Sequence, residues 1–196
     1  MTIINTSNIA KKYFPVIVTI SLVISLYIGL TQNAEVMYEY GKFCGLIAVY
    51  LFLATLIPGI AKRLKLANKI KHLYLFLNLL RRQLGILTFM FVWYHFFFLR
   101  GLNSFQSGQI YTPSALFEWF GLIAFQLLFL LFITSNDLSV RRLGTWWKKL
   151  HSLTYIIIWF VMLHVVFTKL SLAVIVFIFA IVEIYSLLYK LFQKRL

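Results

Sequence analysis

Acidic residues, cysteine and proline are scarce in this chain. Its 196 residues include five Asp and Glu, one Cys and three Pro. With Cys44 alone, neither an internal disulfide nor a thiolate metal site can form. Charged residues amount to 12% of the chain, against 62% hydrophobic, at a mean hydropathy of +0.88. Soluble domains are nearer a quarter charged and half apolar, so an ordinary soluble fold is excluded. Apolar runs long enough to cross a bilayer, about 20 residues each, recur along the sequence. No stretch is left for a second, soluble domain, and residues 1–196 read as one all-α transmembrane domain.

What charge there is has one dominant sign: 19 Lys and Arg give a net +14. All of these except Lys42, Arg100 and Lys169 fall on one alternate set of loops and ends. The opposite set carries those three together with Glu35, Glu39 and Glu118. This is the positive-inside pattern. The charge orients the chain and is no nucleic-acid footprint. It predicts cytoplasmic N- and C-termini in a cell membrane.

The basic N-terminus followed by an apolar run resembles a secretory signal, but five further spans follow, so it reads as an uncleaved first helix. The expected helices are about 15–30, 41–57, 82–99, 115–134, 150–168 and 172–188, with the second ended by Pro58-Gly59. Residues 61–80, basic and then apolar, suit an amphipathic helix at the inner interface. RRQLG (81–85) and RRLG (141–144) stand in matching places before the third and fifth helices.

Ionisable residues within a span are costly and mark function by default. His95 lies thirteen residues past Arg82, and His164 fifteen past Lys149. At about 1.5 Å per residue both sit about 20 Å from the inner face. Two imidazoles at one depth on parallel helices suit the axial positions of a haem. A zinc site needs three or four N, S or O ligands, and no carboxylate or thiol shares this depth. A hydrogen-bonded core histidine is the plain alternative for either residue. His151, thirteen residues before His164, lies on roughly the same face of the fifth helix. Its counterpart on the third helix is Arg82, which cannot ligate iron. His151 is therefore a candidate for a second haem with another axial ligand (His72 in the inner loop), for a propionate contact, or for a flavin contact.

Arg100 and Lys169 each follow one of the paired histidines by five residues, where propionate pairing and snorkelling to the interface both fit. Glu183 is the one acid deep inside a span, suited to a quinol or proton step or to an ion pair with a neighbouring helix. Arg81, Arg82, Arg141 and Arg142 with Trp147 suit a flavin phosphate and ring; anchoring at the inner surface explains most of the same residues. The twenty Phe read as lipid-facing or core residues.

The motifs LATLIP (53–58), RRQLG with His95 ten residues after its glycine, Thr134-Ser135, and LGTWWKKLHSLTY (143–155) followed by His164 resemble the ferric-reductase-like transmembrane family. Within it, they resemble most the haem-binding membrane subunits of bacterial periplasmic methionine sulfoxide reductase systems. The resemblance covers nearly the whole chain. It implies a six-helix inner-membrane b-type cytochrome, with His95 and His164 at the haem-ligand positions and His151 as a third haem-linked histidine. It also implies FMN at the cytoplasmic side. Electrons would come from the quinol pool or a cytosolic flavin reductase and go to a periplasmic molybdopterin methionine sulfoxide reductase, MsrP, which repairs oxidised methionine. The superfamily's oxidases carry two histidines on the third helix, where this chain has Arg82, and they fuse a nucleotide-binding domain. This chain ends at Leu196 without one and carries no Gly-rich dinucleotide fingerprint.

The reading is thus a membrane electron-transfer subunit in contact with lipid, which does not itself reduce methionine sulfoxide. Two others stand beside it: a stand-alone transmembrane haem reductase acting on iron or quinone, and a six-helix transporter whose histidines relay protons.

Overall fold

The structure, a computed structural model, describes residues 3–31 and 33–193, with side chains given for 13–30 and 33–193. Lys194 and Arg195, and the side chains of Lys11 and Lys12, lie outside the described residues. Among the described residues every regular element is helical. Helices α1 (Ile3–Thr31) and α2 (Ala34–Arg63) are followed by α3 (Lys71–Phe96), which runs into a π-helical turn at Phe97–Gly101 and the short α4 (Leu102–Ser107). Then come α5 (Leu116–Ile133), α6 (Asp137–Leu143), α7 (Thr145–His151), α8 (Thr154–Val166) and α9 (Leu170–Gln193). Six stretches are long and apolar enough to cross a membrane: Tyr13–Leu30, Ala34–Arg63, Lys71–Ser107, Leu116–Ile133, Thr145–Val166 and Leu170–Gln193. The six expected spans are all present, but several ends differ.

Helix α2 does not end at Pro58. It runs through that residue, which is fully buried. One backbone bond is forfeited there, an expense that helix interiors within a membrane tolerate. The stop comes at Lys65, in the left-handed region at φ 57°. Its N–H donates to the Lys62 carbonyl at 3.3 Å, and the Leu66 N–H donates to the Ala61 carbonyl at 2.8 Å. These are the two bonds of a Schellman closure, made with lysine where glycine is usual. Nor do residues 61–80 form a separate interfacial helix. Helix α3 begins at Lys71 and continues unbroken through Arg81 and Arg82, which sit well inside it. Once its first turn has formed, adding residues costs little, and no proline interrupts 71–96.

The inner connection after α5 is also more ordered than a loop. The Asn136 side chain caps α6 by accepting from the Ser139 N–H at 2.8 Å. Gly144 then turns the chain at φ 52°, ψ −119° into α7, a conformation open in practice only to glycine. Between α7 and α8, the Leu153 and Tyr155 N–H groups bond three residues back, so the fifth span is tightened rather than one uniform α-helix.

The helices form two compact units: Met1–Leu51 with Leu79–Thr112, and Phe52–Asn78 with Pro113–Leu196. In the first, Cys44, Tyr94 and Phe98 are buried, with Ile28, Met37, Tyr40 and Phe91 packed around them. In the second, α8 packs on both α5 and α9, and Leu56, Ile157, Ile158 and Val176 are fully buried. Outward residues such as Ile17, Val23, Phe129, Phe177 and Ile178 stay exposed, as a lipid-facing surface requires.

Candidate functional site

His164 lies near the end of α8, where the neighbouring α5 offers a backbone carbonyl. Its Nδ1 is 2.8 Å from the carbonyl oxygen of Phe117, and its ring lies 5.8 Å, centroid to centroid, from the Phe117 ring. A carbonyl only accepts, so the proton belongs on Nδ1 and the neutral ring carries its lone pair on Nε2. Metal-ligating histidines take this form, one nitrogen donating to a carbonyl and the other facing the metal.

His95 repeats this setting in the first unit. Its Nδ1 is 2.9 Å from the carbonyl oxygen of Gly41 on α2. Each acceptor lies four residues before a glycine, Gly45 on α2 and Gly121 on α5. Helical Cβ atoms lean toward the N-terminus and cover the preceding turn, so a side chain at either position would screen that carbonyl. A methyl at Gly45 would come within 2.6 Å of His95 Nδ1, and one at Gly121 within 2.7 Å of His164 Nδ1. Just past His95, the π-helical turn at Phe97–Gly101 breaks the regular count to Arg100, and such turns recur at functional sites. Arg100 donates from Nη1 to the Leu99 carbonyl at 3.1 Å; Lys169 is exposed.

His151 is held differently. Its ring stacks on Trp147 at 4.1 Å, and its Nε2 lies 3.2 Å from Thr134 Oγ1. That hydroxyl is 2.7 Å from the Leu130 carbonyl. If its single proton goes there, it accepts from His151 Nε2–H, giving the opposite tautomer to the other two rings. Trp147 Nε1 donates to the Thr134 carbonyl at 2.9 Å. Thr134, Trp147 and His151 thus form one assembly, with Arg141 and Arg142 exposed on α6. His72 is exposed at the start of α3, as are Arg81 and Arg82 further along it.

Glu183 on α9 is buried and paired. Its Oε1 lies 2.6 Å from Arg63 Nη2, with side-chain exposures of 2% and 9%. Arg63 Nε donates to Ser186 Oγ at 2.8 Å, and Nη1 to Tyr155 OH at 3.1 Å. The ion-pair reading of Glu183 therefore has its partner, although Arg63 reads in the sequence as one more loop cation. Gly45 and Gly121 were also missed, although Gly41-x-x-x-Gly45 is a spacing for close helix approach visible in the sequence. Nothing in the sequence marks the carbonyl of Phe117.

Each of these Nδ1-held imidazoles, taken in its own unit, has the form that a haem-iron ligand needs. Among the described residues, no three His, Cys, Asp or Glu side chains gather as a bare metal ion would need.

Residues 44–162 match the family model described as ferric reductase like transmembrane component. His95 and His151 fall inside that match and His164 just beyond it. A protein-methionine-sulfoxide reductase heme-binding subunit MsrQ of Rhizobium meliloti (strain 1021) is 31% identical over 67% of this chain and 59% of its own length. Another of that name, from Agrobacterium fabrum (strain C58 / ATCC 33970), is 36% identical over 47% of this chain and 44% of its own. The chain thus spans about half the length of these relatives. No solved structure gives a significant match. With more than half its residues matched and six membrane-length helices, this multi-pass protein of the bacterial inner membrane belongs to the ferric reductase like transmembrane component family.

Proposed function

We propose that the chain is a b-type cytochrome subunit carrying electrons across the inner membrane to a periplasmic molybdopterin methionine sulfoxide reductase. The donor is the quinol pool or a cytosolic flavin reductase, and both termini are cytoplasmic. His95 and His164 would hold haem b through their imidazoles. One observation carries this reading: two intramembrane histidines share the same setting, Nδ1 on a helix carbonyl at 2.9 and 2.8 Å. The name of the matched relatives, a heme-binding subunit of a methionine sulfoxide reductase, supports both the cofactor and the system served.

Haem bound there supplies one-electron chemistry between ferric and ferrous iron. The chain's own residues do the rest. The carbonyls of Gly41 and Phe117 keep the ring protons on Nδ1, and the apolar helices exclude water. Arg100, in the π-helical turn of the third span, and Lys169, just past the fifth, stand toward the outer side for propionates or lipid headgroups. At the inner face, Arg81, Arg82, Arg141 and Arg142 offer guanidinium forks for the phosphate of FMN. His151, fixed by Trp147 and Thr134, serves as the inner relay or holds a second haem.

The test is the oxidised and dithionite-reduced absorbance of the purified full chain, with a pyridine haemochrome assay of haem per chain. A sharp low-spin b-type spectrum, lost in His95→Ala and in His164→Ala but kept in Arg100→Ala, is the expected result. Low-spin haem retained in both histidine variants overturns the ligand assignment. Colourless protein from haem-replete cells overturns the cytochrome reading in favour of a transporter.

A further inference from the structure

Of the nine glycines in the chain, two have the ring of an intramembrane histidine as their nearest neighbour. A Cβ built at Gly45 would meet Nδ1, Cε1 and Cγ of His95 at 2.6, 2.9 and 3.1 Å. One at Gly121 would meet the same three atoms of His164 at 2.7, 2.9 and 3.3 Å. The same face of each imidazole therefore lies on a bare stretch of helix, in nearly the same pose, once in each compact unit. The other glycines serve other ends: Gly41 would meet Leu99 and Phe98, Gly59 would meet Arg63, and Gly85 meets nothing within 4 Å. His151 has a stacked indole in place of such a slot.

We propose that Gly45 and Gly121 are positioning residues for His95 and His164. Each opens a slot that lets the ring reach the carbonyl four residues back and aims Nε2 before any ligand arrives. A neighbouring helix with any larger residue there would push the ring off that carbonyl. Since Nδ1–H donation makes an imidazole a stronger electron donor through Nε2, the slots also lower the reduction potential of iron held there. The inference rests on the two histidines being haem ligands.

Simple helix packing would also favour glycine, so the test must read more than stability. Gly45→Ala, Gly121→Ala and the control Gly85→Ala are made in the full chain, and each purified protein is titrated electrochemically while its spectrum and haem content are followed. The alanines at 45 and 121 are expected to shift the midpoint upward or remove the low-spin signature, while Gly85→Ala matches the unaltered protein. Midpoint, spectrum and haem content all unchanged in Gly45→Ala and Gly121→Ala, with the unaltered protein coloured, overturn this proposal alone. A colourless unaltered protein overturns it together with the ligand reading.

Should either alanine variant fail to fold, nitrogen-15 NMR of histidine-labelled, haem-depleted unaltered protein decides. Ring protons on Nδ1 at His95 and His164, each assigned by its His→Gln variant, are expected. Protons on Nε2 at both would overturn the slots.

Discussion

A single buried pair shows how much one side chain's partner matters. Arg63 and Glu183 are 2.6 Å apart and almost wholly enclosed, with Ser186 and Tyr155 bonded to the same guanidinium. Removing one partner strands a charge, at a cost of about 3–5 kcal/mol, whereas replacing both with apolar residues is often close to neutral. Glu183→Leu should therefore lower the thermal transition in detergent markedly, and Arg63→Met with Glu183→Leu should recover most of it. The same pair separates two roles for Glu183. Stability recovered without recovered quinol-driven haem reduction would give the carboxylate a proton task; recovery of both would leave it structural. At His151, Thr134→Val removes the hydroxyl that meets the ring's Nε2, a bond worth about 0.5–1.5 kcal/mol, together with that hydroxyl's own bond to the Leu130 carbonyl. If His151 is the inner relay, that change should slow reduction by a cytosolic donor while leaving the absorbance assigned to the His95 and His164 haem unaltered. Equal reduction rates in stopped-flow absorbance would remove His151 from the path.

At the scale of elements, three described turns use left-handed or glycine-only backbone, at Lys65, Gly108 and Gly144, and two of them are open to test. Gly144 joins α6 to α7 at φ 52°, ψ −119°. A Cβ there meets no neighbour, so the cost of Gly144→Ala is backbone strain alone, about 1–3 kcal/mol. Lys65 closes α2 at φ 57° with a side chain where glycine is free of penalty, and Lys65→Gly should leave stability unchanged or raise it by up to about 1 kcal/mol. Thermal unfolding of the two variants side by side checks both signs. The helices themselves were largely legible, because spans 18 to 37 residues long announce themselves by apolar length. Their ends were not. Pro58 looked like a terminus because proline removes a donor, yet the enclosed helix runs through it. The stretch from Lys71 to Leu80 looked interfacial because its first residues are basic, yet it is the opening of α3.

For the whole molecule, charge is the strongest long-range signal, since the sequence gathers all but three of the 19 cations toward one side of the spans, although Arg63, Arg81 and Arg82 among them lie within helices. The orientation it implies is tested by C-terminal fusions. A fluorescent protein fused after Leu196 should fluoresce and alkaline phosphatase there should be inactive, and the reverse pair would invert the orientation. Composition and span length by themselves determined that this is an all-helical membrane protein with six spans, because burial in lipid leaves helical backbone few alternatives. Histidine position within the spans also picked out His95 and His164. Only tertiary structure decided how those histidines are held. The carbonyls of Gly41 and Phe117, the slots at Gly45 and Gly121, the Thr134 bond to His151 and the Arg63 partner of Glu183 join residues 17 to 120 positions apart. Residue type and local spacing report which face a side chain takes on its own helix. They do not report which backbone oxygen another helix brings against it.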